Sequence, residues 1–221
     1  MGKNIFIILA GGQGKRFNNK LPKQYINIGK YNSIELIINE IVKNNKINNI
    51  AISCTDKYSK KLKKIIKNYK KNNIIFVKSG KTRQDSSYLA LKKIKSLNPK
   101  YVLIHDASRP NIKNETINKI LKHLKKYDGS APLIKNVDLI RKKINNKYIE
   151  EYSDTYSTQT PQGFKYKKII NAYKNNINKK FKDDISLMNN KHYIFNFFEG
   201  EKDNIKITYK KDIKYLNYKT N

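Results

Sequence analysis

A short apolar run, Asn4–Ala10, leads into Gly11-Gly12-Gln13-Gly14-Lys15-Arg16-Phe17. Three glycines in four positions let backbone amides approach an anion, and Arg16 adds a planar fork for phosphate oxygens. The loop is not a Walker A motif, because no Gly-Lys-Ser/Thr closes it. Nor is it a dinucleotide fingerprint, because Phe17 stands where a third glycine is needed. Seven residues beyond Arg16, Lys23 follows the stiffening Pro22 in Leu21-Pro-Lys-Gln-Tyr25. Two cations on one ordered loop suit a triphosphate, which they clamp while offsetting the charge that grows on the α-phosphate during displacement.

Two further constellations fit the same chemistry. Asp106 and Arg109 lie in Ile104-His-Asp-Ala-Ser-Arg-Pro110, directly after an apolar run. In an open α/β sheet that is the edge where ligands bind. Asp106 is suited to accept from a ribose hydroxyl or to hold Mg²⁺ through water, and Arg109 to meet phosphate; a structural ion pair in a turn is the competing use. His105 ends the buried run, and a phosphate nucleophile needs no base, so packing is its expected role. Gly80, Arg83 and Ser86, in Ser79-Gly-Lys-Thr-Arg-Gln-Asp-Ser-Ser87, fall at a strand-to-helix turn. There, amides and a hydroxyl can read a base edge.

The net charge of +31 invites a nucleic-acid reading, but its make-up argues against one. Only four of the 48 basic residues are arginines, and Lys, Asn, Ile and Tyr are all abundant, a pattern of A/T-rich codons spread over every surface. In such a chain the arginines are informative, because three of the four (Arg16, Arg83 and Arg109) sit inside the motifs above. A basic nucleic-acid-binding module gives no reason for that clustering, so no specific nucleic-acid partner is expected. The single cysteine, Cys54, is expected to be a buried small side chain. No apolar run approaches the ~18–20 residues of a membrane span. Asn4–Ala10 is too short for a signal peptide and runs straight into the glycine motif, so a cytoplasmic protein is expected.

These loops need a scaffold, and the hydrophobic patterning supplies one. Strands are predicted at Asn4–Ala10, Ile47–Cys54, Ile74–Val77, Tyr101–His105, Ser130–Ile134 and Tyr193–Phe198. Helices are predicted at Ser33–Lys43, with Ser33 as its cap, and at Tyr58–Lys70, Gln84–Leu97, Asn114–Lys125, Tyr166–Tyr173 and Lys210–Tyr218. The alternation implies an α/β fold with a mostly parallel, Rossmann-like sheet flanked by helices. Ile140–Ile149 reads instead as a polar two-stranded excursion turning at Asn145-Asn146, a projecting β-arm of the kind that reaches a partner subunit. One domain over residues 1–221 is expected, with the arm at 137–152.

The glycine loop followed by Leu21-Pro-Lys-Gln-Tyr25 resembles the start of the 2-C-methyl-D-erythritol 4-phosphate cytidylyltransferase family of the non-mevalonate isoprenoid pathway. The likeness continues in order. Ser79–Ser87 resembles the family's cytosine-side segment and Ile104–Pro110 its ribose and phosphate segment. Thr158-Gln-Thr-Pro-Gln-Gly-Phe164 resembles its Gln-Thr-Pro-Gln turn, and Asp203-Asn-Ile-Lys-Ile-Thr208 its C-terminal lysine motif. Each segment alone is weak, but five in the right order are specific.

The resemblance implies a nucleotidyltransferase that moves a cytidylyl group from CTP to a sugar-alcohol phosphate with Mg²⁺, as a homodimer joined through the arm. It implies that Arg16, Lys23 and Lys206 are catalytic, and that Ala10, Gly11, Gly12, Gly14, Gly80, Arg83, Ser86, Asp106 and Arg109 bind nucleotide. Acceptor binding falls to Asp106, Arg109, Arg141, Tyr152, Thr160 and Lys206. Asp183-Asp184 resembles the family's Asp-Asp/Glu segment and reads equally as a helix N-terminus. Some relatives carry a fused cyclodiphosphate synthase domain, and none is expected here after the closing helix. Two positions depart from the family pattern: Leu139 replaces a threonine of the arm, and Tyr152 replaces an acceptor-binding arginine. Arg141 or Lys142 is the expected substitute for that arginine. Both departures concern the acceptor, which keeps a ribitol-5-phosphate cytidylyltransferase as the alternative.

Overall fold

The structure is a computed structural model that describes residues 2–14, 17, 21–69, 73–151, 153–176, 179–188 and 192–220, the last four by backbone alone. Arg16 and Tyr152, both expected site residues, lie outside the described residues.

The first strand, β1 (Lys3–Leu9), runs down the middle of the sheet. A mini-hairpin, β2 (Asn27–Ile28) and β3 (Tyr31–Asn32), then precedes α1 (Ser33–Ile41). Next come β4 (Asn49–Cys54), α2 (Asp56–Ile66), β5 (Asn73–Lys78), α3 (Arg83–Lys93), β6 (Pro99–Asp106), α4 (Asn114–His123) and β7 (Gly129–Lys135). The arm strands β8 (Arg141–Ile144) and β9 (Lys147–Glu150) follow, then β10 (Tyr156–Thr158), β11 (Gln162–Lys165), α5 (Tyr166–Asn175), α6 (Asp184–Met188), β12 (Phe195–Glu199) and α7 (Lys210–Thr220).

Strands β5, β4, β1 and β6 are parallel neighbours, as the alternating pattern predicts. Beyond β6 the sheet changes direction. β11 inserts antiparallel between β6 and β7, β10 pairs antiparallel with β7, and β12 pairs parallel with it. β10 and β11 are absent from the hydrophobic reading because they are three and four residues long and carry Ser, Thr, Gln and Gly. Their strand form comes from pairing with neighbours, not from local preference.

β1 shows why the sheet is covered on both faces. Phe6 and Ile8 pack with Ile34, Ile38, Leu62 and Ile117 on one side. Ile5 and Ile7 pack with Ala90, Leu91, Ile169 and Tyr173 on the other. All four β1 side chains are fully buried, so the strand is a continuous apolar run and not an alternating one. Cys54 is buried as expected, with its sulfur 3.0 Å from the Tyr25 hydroxyl.

The predicted cap of α1 is displaced by one residue. Asn32, not Ser33, accepts from the amides of Ile34 and Glu35, while Glu35 accepts from the Asn32 amide. Ser33 turns inward and donates to the carbonyl of Ala107. The arm matches the reading closely. Asn145 and Asn146 take positive φ of 46° and 63°, the conformation that a two-residue type I′ turn demands. Among the described residues no helix is long and apolar enough to cross a membrane.

Candidate active site

The carboxyl ends of the four parallel strands converge on one cleft of about 620 Å³. Leu9 and the glycine loop follow β1, Thr55 follows β4, Gly80 to Arg83 follow β5, and Asp106 to Ser108 end β6. This is the place where an open parallel sheet binds ligands, because successive loops diverge there and leave a crevice. Lys206 and Thr208 complete the wall from the C-terminal segment, and Lys23 and Gln24 complete it from the short helix Lys23–Tyr25.

Backbone geometry explains the glycines. A side chain at Gly11 would place its Cβ 2.5 Å from that of Ser79, so only glycine lets the β1 and β5 loops touch. At Gly80 the added carbon would lie 2.2 Å from the Asp85 Cβ, where the chain folds back onto the first turn of α3. Gly12 meets nothing within 4 Å and lines the cleft, so its bare backbone faces open space. Gln24, which sequence reasoning left without a role, braces this loop. Its amide donates to the carbonyls of Ala10 (2.7 Å) and Gly12 (2.8 Å). Its presence in the Leu-Pro-Lys-Gln-Tyr motif was the available signal. Gln24 fixes the loop's carbonyls and so leaves its amides for the ligand.

The electrostatic centre is Asp106. One carboxylate oxygen accepts from Arg83 Nε at 2.9 Å and the other from Lys206 Nζ at 2.6 Å. Burial alone would push this carboxyl up, but the two cations outweigh it and hold it well below the usual carboxylate range. Arg83 spans two carboxylates, since its Nη1 also donates to Asp184 at 2.6 Å. Burial would weaken the guanidinium's hold on its proton, but Asp184 and then Asp106 more than compensate. Asp106 is the one acid lining the cleft among the described residues, against Lys23, Lys81, Arg83 and Lys206. The result is a cationic pocket with backbone amides at one wall, matched to a polyphosphate.

Lys206 reaches this position on a strap that crosses the end of β6. The Ile207 amide donates to the Ser108 carbonyl, Asn111 to that of Asp203, and Gln159 to that of Glu201. Lys23 donates to the carbonyl of Ile207, which ties the N-terminal loop to the same strap.

Several expected ligand-binding residues are occupied in building the cleft. Ser86 Oγ accepts from the Gly80 amide (3.1 Å) and donates to the Thr82 carbonyl (2.8 Å), so the two groups expected to read a base edge hold each other in the cleft wall. Arg109 does not line the cleft, and it donates from Nη1 to the Asn204 carbonyl at 2.6 Å, holding the strap. Thr160 accepts from the Asp106 amide at 3.1 Å and so fixes the end of β6 rather than facing an acceptor. Arg141 pairs with Glu150 across the arm at 2.7 Å, and Lys142 pairs with Glu151. Neither lines this chain's cleft, so within one chain neither replaces the missing arginine. Ala10 lies behind the loop, buried, with its carbonyl held by Gln24.

His105 packs, as expected. The Arg109 carbonyl can only accept, so Nε2 carries the proton, and Nδ1 accepts from the Thr160 hydroxyl at 3.0 Å. Burial pushes its pKa down to about 4, although hydrogen bonds and Asp106 pull the other way.

A mostly parallel α/β sheet with a glycine-walled, cationic cleft at its carboxyl edge is the setting of a nucleotidyltransferase, and proteins of known family share it. The family model for 2-C-methyl-D-erythritol 4-phosphate cytidylyltransferase matches residues 5–218. A bifunctional enzyme IspD/IspF of Pelagibacter ubique is 40% identical over 97% of this chain, which spans 57% of that protein. The 2-C-methyl-D-erythritol 4-phosphate cytidylyltransferase of Thermosipho melanesiensis is 33% identical, with 95% of this chain and 94% of that one aligned. The crystal structure of 4-diphosphocytidyl-2C-methyl-D-erythritol synthase from Anaerococcus prevotii superposes with a TM-score of 0.88 at 26% identity, covering 99% of this chain and 96% of that one. The chain belongs to the 2-C-methyl-D-erythritol 4-phosphate cytidylyltransferase family.

Proposed function

We propose that this chain transfers a cytidylyl group from CTP to 2-C-methyl-D-erythritol 4-phosphate, giving 4-diphosphocytidyl-2-C-methyl-D-erythritol and pyrophosphate. The observation that carries this reading is the convergence of Gly12, Lys23, Arg83, Asp106 and Lys206 from separate loops on one cleft. An acceptor phosphate oxygen, already anionic, attacks the α-phosphorus of CTP. The new P–O bond forms as the bond to the bridging α–β oxygen breaks, and that electron pair leaves with pyrophosphate. No side chain has to remove a proton, so the work is positioning and charge relief. Glycine-loop amides and Lys23 take the triphosphate, joined by Arg16 from the same loop. Lys206 takes the acceptor's phosphate, and Asp106 accepts from sugar hydroxyls.

Mg²⁺ enters this scheme as part of the nucleotide. Asp106 is the one acid lining the cleft among the described residues, and it would reach an ion carried by the triphosphate through water. Such an ion would supply positive charge that eases departure of pyrophosphate.

The arm supports a homodimer. Val137, Leu139 and Tyr148 expose 93%, 57% and 65% of their surface, apolar side chains that a partner subunit would cover. Val137→Asp with Leu139→Asp should yield monomers in sedimentation equilibrium and raise the acceptor KM; an unchanged association state removes the arm from the interface. Charged, soluble substrates of this kind suit a cytoplasmic setting.

The decisive experiment is pyrophosphate release from the full chain with CTP and Mg²⁺, comparing methylerythritol phosphate, ribitol phosphate and no acceptor. Release with methylerythritol phosphate alone supports the reading. Release with ribitol phosphate alone keeps the nucleotide site and changes the acceptor.

A further inference from the structure

The cleft's central carboxylate is connected, through Arg83, to a buried acid outside the cleft. Asp184 is fully buried at the start of α6. One of its oxygens accepts from Arg83 Nη1 and the other from the Tyr173 hydroxyl, each at 2.6 Å. Tyr173 is itself fixed, buried on α5 and stacked on Tyr88 of α3 with ring planes 11° apart. A continuous series of side chains thus runs from Tyr173 through Asp184, Arg83 and Asp106 to Lys206.

The segment carrying Asp184 is fastened to the cleft's own scaffold. Gln84 donates to the Lys179 carbonyl and accepts from the Phe181 amide, while Gln162 of β11 donates to Asp183. These ties dock residues 179–184 against the first turn of α3, where Arg83 sits. Asp184 is therefore held in place by tertiary contacts, and α6 is too short to place it alone.

The charges explain what this arrangement accomplishes. Arg83 and Lys206 balance Asp106 and Asp184, so the four-residue group is neutral. Without Asp184 the guanidinium is free to swing fully onto Asp106, in competition with Lys206. Arg83 also keeps Nη2 buried with no partner, an unused donor on a residue that lines the cleft. A planar fork with two of its nitrogens pinned by carboxylates holds the third in one direction.

We propose that Asp184, steadied by Tyr173, is a positioning residue that sets the Arg83 guanidinium and through it the Asp106–Lys206 pair for nucleotide and acceptor. The proposal rests on the cytidylyltransfer reading for its assay, but it concerns how the cleft is held. A reacting group misplaced by ~1 Å can cost on the order of 10²-fold in rate.

The test is a double-mutant cycle on the full chain, with CTP binding followed by calorimetry and turnover by pyrophosphate release. All variants are assayed at a temperature where circular dichroism shows them folded. Asp184→Asn is expected to lower turnover on the order of 10²-fold and to weaken CTP binding about 10-fold. Tyr173→Phe, which keeps the buried ring, is expected to do the same on a smaller scale, about 3- to 10-fold. In an Arg83→Met background Asp184→Asn should add nothing further. An equal loss in both backgrounds, or unaltered turnover and binding in both single variants, overturns the proposal. A wild-type chain that binds CTP but releases no pyrophosphate overturns the acceptor assignment alone, and the cycle is then read from CTP binding.

Discussion

The Lys206 ammonium lies 2.6 Å from the Asp106 carboxylate although 100 residues separate them in the chain. That carboxylate is held from its other oxygen by Arg83, so Asp106 is shared between the nucleotide loop after β5 and the C-terminal strap. The strap in turn accepts from Lys23 at the carbonyl of Ile207. The cation proposed to serve the acceptor is therefore located by residues proposed to serve the nucleotide.

Removing Lys206 tests the division of labour. Lys206→Ala is expected to lower kcat/KM for the acceptor by roughly 10-fold or more, the lower end for losing one member of a charge pair whose lysine is 41% exposed. CTP affinity should survive, because Arg83 still holds Asp106. Calorimetry of CTP binding beside acceptor titrations distinguishes the two effects, and a variant defective in CTP binding alone would mean the role is misplaced.

Lys23→Ala and Arg16→Ala are each expected to cut turnover by ~10²-fold or more, the scale for losing one transition-state donor. For Lys23 part of the loss should appear in the acceptor KM, since its tie to Ile207 also holds the Lys206 strap. Near-normal rates in both variants would remove the proposed triphosphate clamp.

Gly12 and Gly80 should behave oppositely. An alanine at Gly12 meets open space and requires no unusual φ, so stability should stay within about 0.5 kcal/mol of wild type while the CTP KM rises. An alanine at Gly80 collides with Asp85 and should cost about 1–3 kcal/mol by forcing the loop to move. Denaturant midpoints beside CTP titrations check both. A Gly12→Ala enzyme with unchanged CTP KM would show that no ligand approaches that backbone.

His105 makes the fold acid-sensitive in a defined window. Its pKa is about 4 when folded and about 6.5 when unfolded, so between these values the unfolded chain binds a proton that the folded chain does not. Its contribution is complete above about pH 6.5 and is lost at about 1.4 kcal/mol per pH unit as pH falls toward 4. Asp106, held low by its cations after folding, adds a loss only below the ordinary carboxylate range near pH 4. Urea midpoints across pH 4–7 should show a steeper slope in the wild type than in His105→Gln, where His123, also held low by burial and by Lys119 and Lys122, leaves a residual slope. A flat wild-type profile there would contradict neutral burial of His105.

Residue order alone determined the parallel half of the sheet, the helices over it and the arm's turn. Each is a local signal: continuous apolar runs for β1, β4 and β6, helical spacing in α1 and α4, and paired asparagines that tolerate positive φ. It also picked out loops that come to line the cleft, because in a lysine-saturated chain Arg83 stands out by type and the motifs of Gly12, Lys23, Asp106 and Lys206 follow in order.

Side-chain partnership was decided only by the tertiary structure. Motif position placed Arg109 and Ser86 at a ligand, whereas folding gives Arg109 to the Asn204 carbonyl and Ser86 to the Gly80 amide. Asp184 read equally as the family's Asp-Asp/Glu segment and as a helix N-terminus; it does begin α6, and only packing of residues 179–184 against α3 brings it to Arg83, 101 positions away. β10 and β11 have no apolar signature because their pairing is determined by the edges of β6 and β7. The physical reason is common to all of these. A side chain's type states which bonds it can make, while distance and burial in the folded chain determine which of them it does make.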